Sequence, residues 1–123
     1  METFNYPWIK EYCLAKPGAT KDYKEDWQMH RFQVGGKTFA SIHGNKEGEP
    51  ILTVRLEPAN GDFFRDEYAD VVPGYYHNKM HYNSISLKGK VPDAVLKDLI
   101  DESYGIFFRS LTKKAQNEIR IEK

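Results

Sequence analysis

The chain has 123 residues, of which 40% are hydrophobic and 14% aromatic, a size that suits one domain around one core. Its 18 basic residues balance 18 acidic ones, so the chain as a whole has no net attraction for nucleic acid or anionic lipid. No apolar run approaches the roughly 20 residues that cross a bilayer, and the first residues lack a secretory-signal pattern. The sequence therefore predicts a single cytoplasmic domain over 1–123 without a membrane span.

The single cysteine limits the chemistry further. Because Cys13 has no second cysteine to pair with, an internal disulfide and a Cys-pair zinc motif are both excluded. It lies in the apolar stretch 8–14, where no neighbour in sequence would lower its pKa. We expect Cys13 to be a packed side chain.

The first half of the chain predicts a helix followed by a hairpin. Residues 5–15 carry apolar side chains at helical spacing, with Pro7 suited to the opening turn, and Pro17-Gly18 ends this helix. Residues 29–44 predict two paired strands, because Gly35-Gly36 supplies a two-residue turn that tolerates positive φ.

The second half predicts three more strands and two helices. These are strand 51–56, a short helix from about Asn60 to Ala69, strands 71–76 and 82–87, and a long amphipathic helix from Pro92 to Leu111. Gly105 inside the long helix predicts close packing against another element. The tail 113–123 fits either a helix extension or a frayed end. This order predicts an α+β fold, with a mainly antiparallel sheet flanked by N-terminal and long C-terminal helices.

The segment 73–84 is the most informative part of the sequence. Aromatic rings, amides, imidazoles and one amine follow a Pro-Gly break there, and the positions 71–92 hold three basic residues but no Asp or Glu. An amine, an imidazole and a stacking ring suit the binding of a phosphate or a nucleotide. The candidate binding residues are Asn78, Lys79, His81, Tyr82, Asn83, Lys88 and Lys90.

A structural role for the same residues is the alternative. Strand alternation would send Tyr82 and Asn83 to opposite faces of a sheet, so their side chains need not converge on one ligand. The amides of Asn78 and Asn83 would then satisfy backbone groups of a turn, and Tyr82 would cover the sheet edge. Both interpretations remain open at the level of sequence.

Catalytic and metal sites have weak support. His77 and His81 have i, i+4 spacing, but no Asp, Glu or Cys lies in 71–92 to complete a metal shell. No nucleophile-elbow motif surrounds Ser84 or Ser86. We therefore predict no catalytic residue, no metal and no cofactor, and a binding protein rather than an enzyme.

Four blocks of the chain, which together span nearly all of it, resemble one family: 13–20, 32–40, 73–84, and 99–104 leading into Ser110-Leu111. The most distinctive part, Asn78-Lys79 followed by His81-Tyr82-Asn83-Ser84, resembles the pattern Asn-Lys-x-His-Trp-Asn-Ser/Thr of the MmcQ/YjbR family of small bacterial proteins. Two positions depart from the family, because Tyr76-His77 stands where His-Met is usual and Tyr82 where Trp is usual.

The resemblance implies a fold similar to the frataxin-like (CyaY-like) group, with an antiparallel sheet and flanking helices. Family members are commonly described as DNA-binding on fold grounds, so it also implies nucleic-acid binding through the positive aromatic segment 75–90. The alternative is a small-molecule or protein-interaction module that uses the same segment without nucleic acid. The expected partner is thus nucleic acid or a small anionic ligand, bound by a monomer rather than an oligomer.

Overall fold

A computed structural model describes residues 3, 5–74 and 80–121 of the chain. The described residues form an α+β fold, as the sequence predicts. The elements in chain order are α1 Ile9–Leu14, β1 Ala19–Lys24, a 3₁₀ turn Glu25–Trp27, β2 Met29–Val34, β3 Lys37–Gly44, β4 Pro50–Arg55, α2 Pro58–Glu67, β5 Val71–Pro73, β6 Tyr82–Ser86, α3 Asp93–Arg109 and α4 Lys113–Ile121.

Within the described residues, the strands form one six-stranded sheet in the order β1-β2-β3-β4-β6-β5, and hydrogen-bonded neighbours are antiparallel. The predicted hairpin is confirmed, since Gly35 and Gly36 join β2 to β3 with φ values of 57° and 81°. Because β4 and β5 both run antiparallel to β6, they are parallel to each other, and α2 makes the crossover between them.

Alternation along the strands gives the sheet two different faces. On the face that we call the helix face, Ile42, Leu52 and Ile85 are paired in register across β3, β4 and β6. They belong to one buried cluster with side chains of α1 and α3, among them Leu96 and Leu99. Each buried side chain of this kind contributes roughly 1.5–3 kcal/mol. This cluster is the core that holds α1 and α3 on the sheet.

A β-bulge connects the sheet to α3. The register between β2 and β3 shifts after Phe32, which leaves Phe39 as the extra residue on β3. The fully buried Ser103 hydroxyl of α3 donates to the Phe39 carbonyl at 2.6 Å and accepts from the Arg55 backbone N–H at 2.9 Å. Two strands are thereby tied to one position of the helix.

The structure corrects several predicted boundaries in the first half of the chain. Helix α1 has only six residues, and strand β1 was not predicted. Helix α2 begins at Pro58 rather than near Asn60, with proline at its first helical position, and Glu102 of α3 accepts from the Glu57 backbone N–H at 2.8 Å. Pro58 is thus a local signal for the start of α2, and the contact with Glu102 holds the same point against α3.

Other corrections concern the last helices. The predicted long helix ends at Arg109, and a separate helix α4 follows. The Thr112 hydroxyl accepts from the Ala115 backbone N–H at 3.1 Å, which caps α4 and explains why the tail starts a new helix. Gly105 does not pack against another element as predicted, because the heavy atoms nearest to a Cβ there belong to the Arg109 side chain of the same helix.

Candidate functional site

Part of the predicted binding segment lies outside the described residues. Asn78 and Lys79 fall in the gap at 75–79, and so does His77. The remaining candidates occupy two places: His81, Tyr82 and Asn83 lie where β6 begins, whereas Lys88 and Lys90 follow its end.

Tyr82 and Asn83 point to opposite faces of the sheet, as strand alternation predicts. Asn83 is fully buried, and its side-chain oxygen accepts from the Arg65 guanidinium of α2. Its amide nitrogen donates to the His81 carbonyl at 3.4 Å. These contacts favour the structural interpretation of Asn83, whose side chain links β6 to α2.

Tyr82 is half-buried and pairs in register with Arg55 of β4. Its carbonyl accepts from the Gly74 backbone N–H at 2.8 Å. A Cβ at position 74 would stand 2.9 Å from the Tyr82 Cβ, so this close approach requires glycine. The Pro-Gly break read in the sequence therefore helps to fix Tyr82 in place.

Tyr82 lines a pocket of about 140 Å³ on the face opposite the helices. An engineered cavity of about 150 Å³ holds one benzene ring, so this pocket is the size of a single ring. Aromatic residues, a methionine, hydroxyl residues and one arginine line it, although the Phe39 ring itself packs edge-to-face against Tyr104 of α3. The other lining residues are Trp27, Met29, Arg31, Thr38, Phe39, Ser41 and Thr53.

The hydroxyls belong to a row of polar side chains on what we call the hydroxyl face, defined by Ser41, Thr53 and Ser84 in register across β3, β4 and β6. All three are almost fully buried. The Thr53 and Ser84 hydroxyl oxygens are 2.9 Å apart, and the Thr53 oxygen lies 3.5 Å from Nε2 of the buried His43. Thr53 thus joins the pocket to an internal hydrogen-bonded chain.

The Arg31 guanidinium at the pocket belongs to a cross-strand ion pair, and a second cation, Lys24 Nζ, lies 5.7 Å from the centroid of the Trp27 ring. Nε of Arg31 donates to the Asp22 carboxylate at 2.8 Å, and Nη2 donates to the second carboxylate oxygen. The hydrogen bonds from Arg31 lower the pKa of Asp22, and the same contacts raise the pKa of Arg31. Since the pair keeps both groups ionised, the guanidinium adds little net positive charge to the pocket.

The turn after β6 also lies beside acidic groups. Lys88 Nζ lies 3.5 Å from the Glu49 carboxylate. The Asp70 carboxylate accepts from the Lys90 backbone N–H at 3.0 Å and packs against Gly89. The positive stretch of the sequence is therefore partly neutralised in the fold by residues that are distant in the chain.

Cys13 is fully buried in the core, as predicted. Burial raises the pKa of its thiol to about 12. Within the described ranges, no group of three His, Cys, Asp or Glu side chains could hold a metal ion. In the same part of the chain, no helix is both long enough and apolar enough to span a membrane.

The sequence did not identify most of the pocket. Its lining comes from the 3₁₀ turn and four strands, and only Tyr82 was among the predicted residues. A usable signal was present in β3 and β4, where Ser41, His43 and Thr53 interrupt otherwise apolar strands. Polar residues on strands with two buried faces indicate either a hydrogen-bonded chain or a site.

Comparison with known proteins agrees with the blocks found in the sequence. The YjbR family model matches residues 14–106. The uncharacterized Escherichia coli K12 protein YjbR is 32% identical over 96 residues, which are 78% of this chain and 80% of that protein. The uncharacterized protein YbdF of Escherichia coli O157:H7 is 29% identical over 89 residues, 72% of each chain.

Solved structures share the fold. The Deinococcus radiodurans protein DR2400, with domain DUF419, superposes with a TM-score of 0.80 at 24% identity, over 90% of this chain and 84% of that one. A crystal structure of a Pseudomonas syringae protein gives a TM-score of 0.68 at 18% identity, over 81% of this chain and 96% of that one. The family match, the identity to YjbR and the shared fold together show that this chain belongs to the YjbR family.

Proposed function

We propose that this protein is a binding module that takes a small, uncharged planar group into the pocket beside Tyr82. The observation that carries the proposal is the pocket itself, which combines aromatic walls with buried hydroxyls. Ligand sites are typically apolar concavities with a few well-placed polar groups. This description matches the pocket better than it matches the basic turn after β6.

Size and charge narrow the ligand class. Pockets for drug-sized molecules measure about 300–1,000 Å³, so a volume of about 140 Å³ suits one ring or the terminal ring of a larger molecule. The Arg31 guanidinium is already paired with Asp22, which favours an uncharged group over the small anion expected from the sequence. Trp27, whose side chain is 63% exposed, offers a ring at the rim on which a planar ligand can stack.

Nucleic-acid binding through segment 75–90 receives less support. Glu49 and Asp70 offset the positive charge near Lys88 and Lys90, and affinity for phosphates depends on such free positive charge. Lys79 lies outside the described residues. The experiment below therefore includes DNA beside the ring compounds.

The test is a thermal-shift screen of neutral single-ring compounds and of single- and double-stranded DNA at low salt. A ring present at ten times its Kd stabilises the native state by about 1.4 kcal/mol, which raises the melting temperature by a few degrees. We expect this shift in wild type and in Lys88→Ala, Lys90→Ala protein. It should shrink in Trp27→Ala protein, where an exposed wall of the pocket is removed.

The opposite pattern would overturn the proposal. If no ring stabilises the protein, while DNA binds in a salt-dependent way and loses affinity in the double lysine variant, the site is the basic segment. The Trp27→Ala variant serves as the matched control in that experiment, because Trp27 lies outside that segment.

A further inference from the structure

The hydrogen bonds beneath the pocket determine which kind of polar group Thr53 can recognise. Nδ1 of His43 lies 3.1 Å from the Gly44 carbonyl. A carbonyl oxygen only accepts, so Nδ1 must carry the proton in this contact. When the imidazole is neutral, its lone pair is then at Nε2, which faces the Thr53 hydroxyl. This partner assigns the tautomer of His43.

The tautomer of His43 orients the two hydroxyls in turn. Because Nε2 accepts, the Thr53 hydroxyl donates its only proton to His43. The contact of 2.9 Å between Thr53 and Ser84 must then be a bond in which Ser84 donates. A hydroxyl oxygen has two lone pairs, and Ser84 occupies one of them. The second lone pair of the Thr53 oxygen is therefore left to accept a hydrogen bond from a group in the pocket.

We infer that the pocket selects a planar ring that carries a hydrogen-bond donor, such as a hydroxyl or an N–H, directed at the Thr53 oxygen. This inference rests on the proposed function and adds the donor requirement to it. A ring that carries only hydrogen-bond acceptors could not form a hydrogen bond with the Thr53 oxygen, because neither atom would supply a proton. The site thereby distinguishes rings of equal size by the direction of one hydrogen bond.

The test compares phenol, which has a donor, with fluorobenzene, a ring of similar size that has none. Dissociation constants for both are measured by NMR titration on wild type, Thr53→Val, Thr53→Ser and Thr20→Val proteins. Thr20 is an exposed threonine on β1 that does not line the pocket. We expect the preference for phenol to fall about threefold to tenfold in Thr53→Val alone. If Thr53 has only a structural role, Thr53→Val should weaken the binding of phenol and of fluorobenzene by the same factor.

A second variant keeps the inference testable if Thr53→Val does not fold. His43→Leu removes the acceptor that holds the Thr53 proton, so Thr53 becomes able to donate to the pocket. Benzaldehyde, which only accepts, should then gain affinity relative to fluorobenzene. The inference is wrong if phenol and fluorobenzene both bind but the ratio of their dissociation constants is the same in Thr53→Val as in wild type. It is also wrong if the ratio for benzaldehyde and fluorobenzene is unchanged in His43→Leu. If neither ring binds wild type, the proposed function itself fails.

Discussion

On the helix face of the sheet, Ile42, Leu52 and Ile85 form a row across three strands, and they are fully buried among helix side chains. The residue next to each of these in the strand points to the hydroxyl face. The resulting row, which is almost as buried, consists of Ser41, Thr53 and Ser84. Burial of the first row is itself favourable. Burial of the second is costly unless every hydroxyl finds a partner.

The difference shows how one sheet combines a core with a site. An apolar row needs only packing, so it stabilises the fold but offers no hydrogen-bonding group to a ligand. A hydroxyl row needs directed hydrogen bonds, and their direction leaves a defined acceptor next to a ring-sized pocket. The account therefore predicts that substitutions on the helix face change stability, whereas those on the hydroxyl face mainly change binding.

The largest effect should come from adjacent residues on opposite faces. Leu52→Ala creates a cavity in the core and should lower the free energy of unfolding by about 2–5 kcal/mol. Thr53→Val creates no comparable cavity but leaves the buried Ser84 and His43 without this partner, so its cost should be about 1–3 kcal/mol and below that of Leu52→Ala. Urea unfolding measures both. Equal losses would contradict the division between the faces.

A buried hydroxyl on the helix side should give the next largest effect. Ser103→Ala would leave the Phe39 carbonyl and the Arg55 N–H without their partner, at a cost of about 1–3 kcal/mol. Ser110→Ala is the matched control, because that exposed serine on the same side of the fold should cost within about 0.5 kcal/mol. If the two variants unfold at the same urea concentration, the bulge does not depend on Ser103.

Asn83 should affect stability more than an exposed amide does. Asn83→Ala removes the acceptor of Arg65 and should cost about 1–2 kcal/mol in urea unfolding. Asn60→Ala removes an exposed amide on α2 that donates to Glu102 at 2.9 Å, and it should cost about 0.5 kcal/mol. If Asn83→Ala leaves the free energy of unfolding unchanged but weakens the binding of rings, Asn83 belongs to the binding site instead.

The smallest effect concerns the ion pair beside the pocket. The pKa of Asp22 lies below the ordinary value of about 3.9, mainly because Arg31 donates hydrogen bonds to its carboxylate. Its contribution to stability is therefore fully present above pH 4 and is lost as the pH falls through the lowered pKa. Carboxyl NMR titration should show this pKa rising in Arg31→Gln and nearly unchanged in Lys24→Gln. A pKa of Asp22 at its ordinary value in wild type would show that the pair does not form.

Local patterns predicted much of the fold. Helical spacing indicated α3, and alternation with a Gly-Gly turn indicated β2 and β3, because these signals lie within one segment. Strand β1 escaped prediction since its residues 19–24 are mostly polar, and its conformation comes from pairing with β2. Similarity to the frataxin scaffold stays a prediction, and so does the cytoplasmic location.

The candidate site was less predictable. Alternation correctly separated Tyr82 from Asn83, but the pocket depends on the register of several strands and on the bulge at Phe39. Neutralisation of Lys88 by Glu49 likewise joins residues far apart in the chain. Such non-local contacts have no signature within a short stretch of sequence, so the charge pattern alone could not show that Glu49 lies beside Lys88.

Amide and indole chemical shifts during a phenol titration show whether binding takes place on the hydroxyl face. We expect saturable shifts of the Trp27 indole N–H and of the Ser41, Thr53 and Tyr82 amides, with little change around Lys88. Saturable shifts confined to the turn after β6, or no saturable shift at the pocket, would contradict binding on that face.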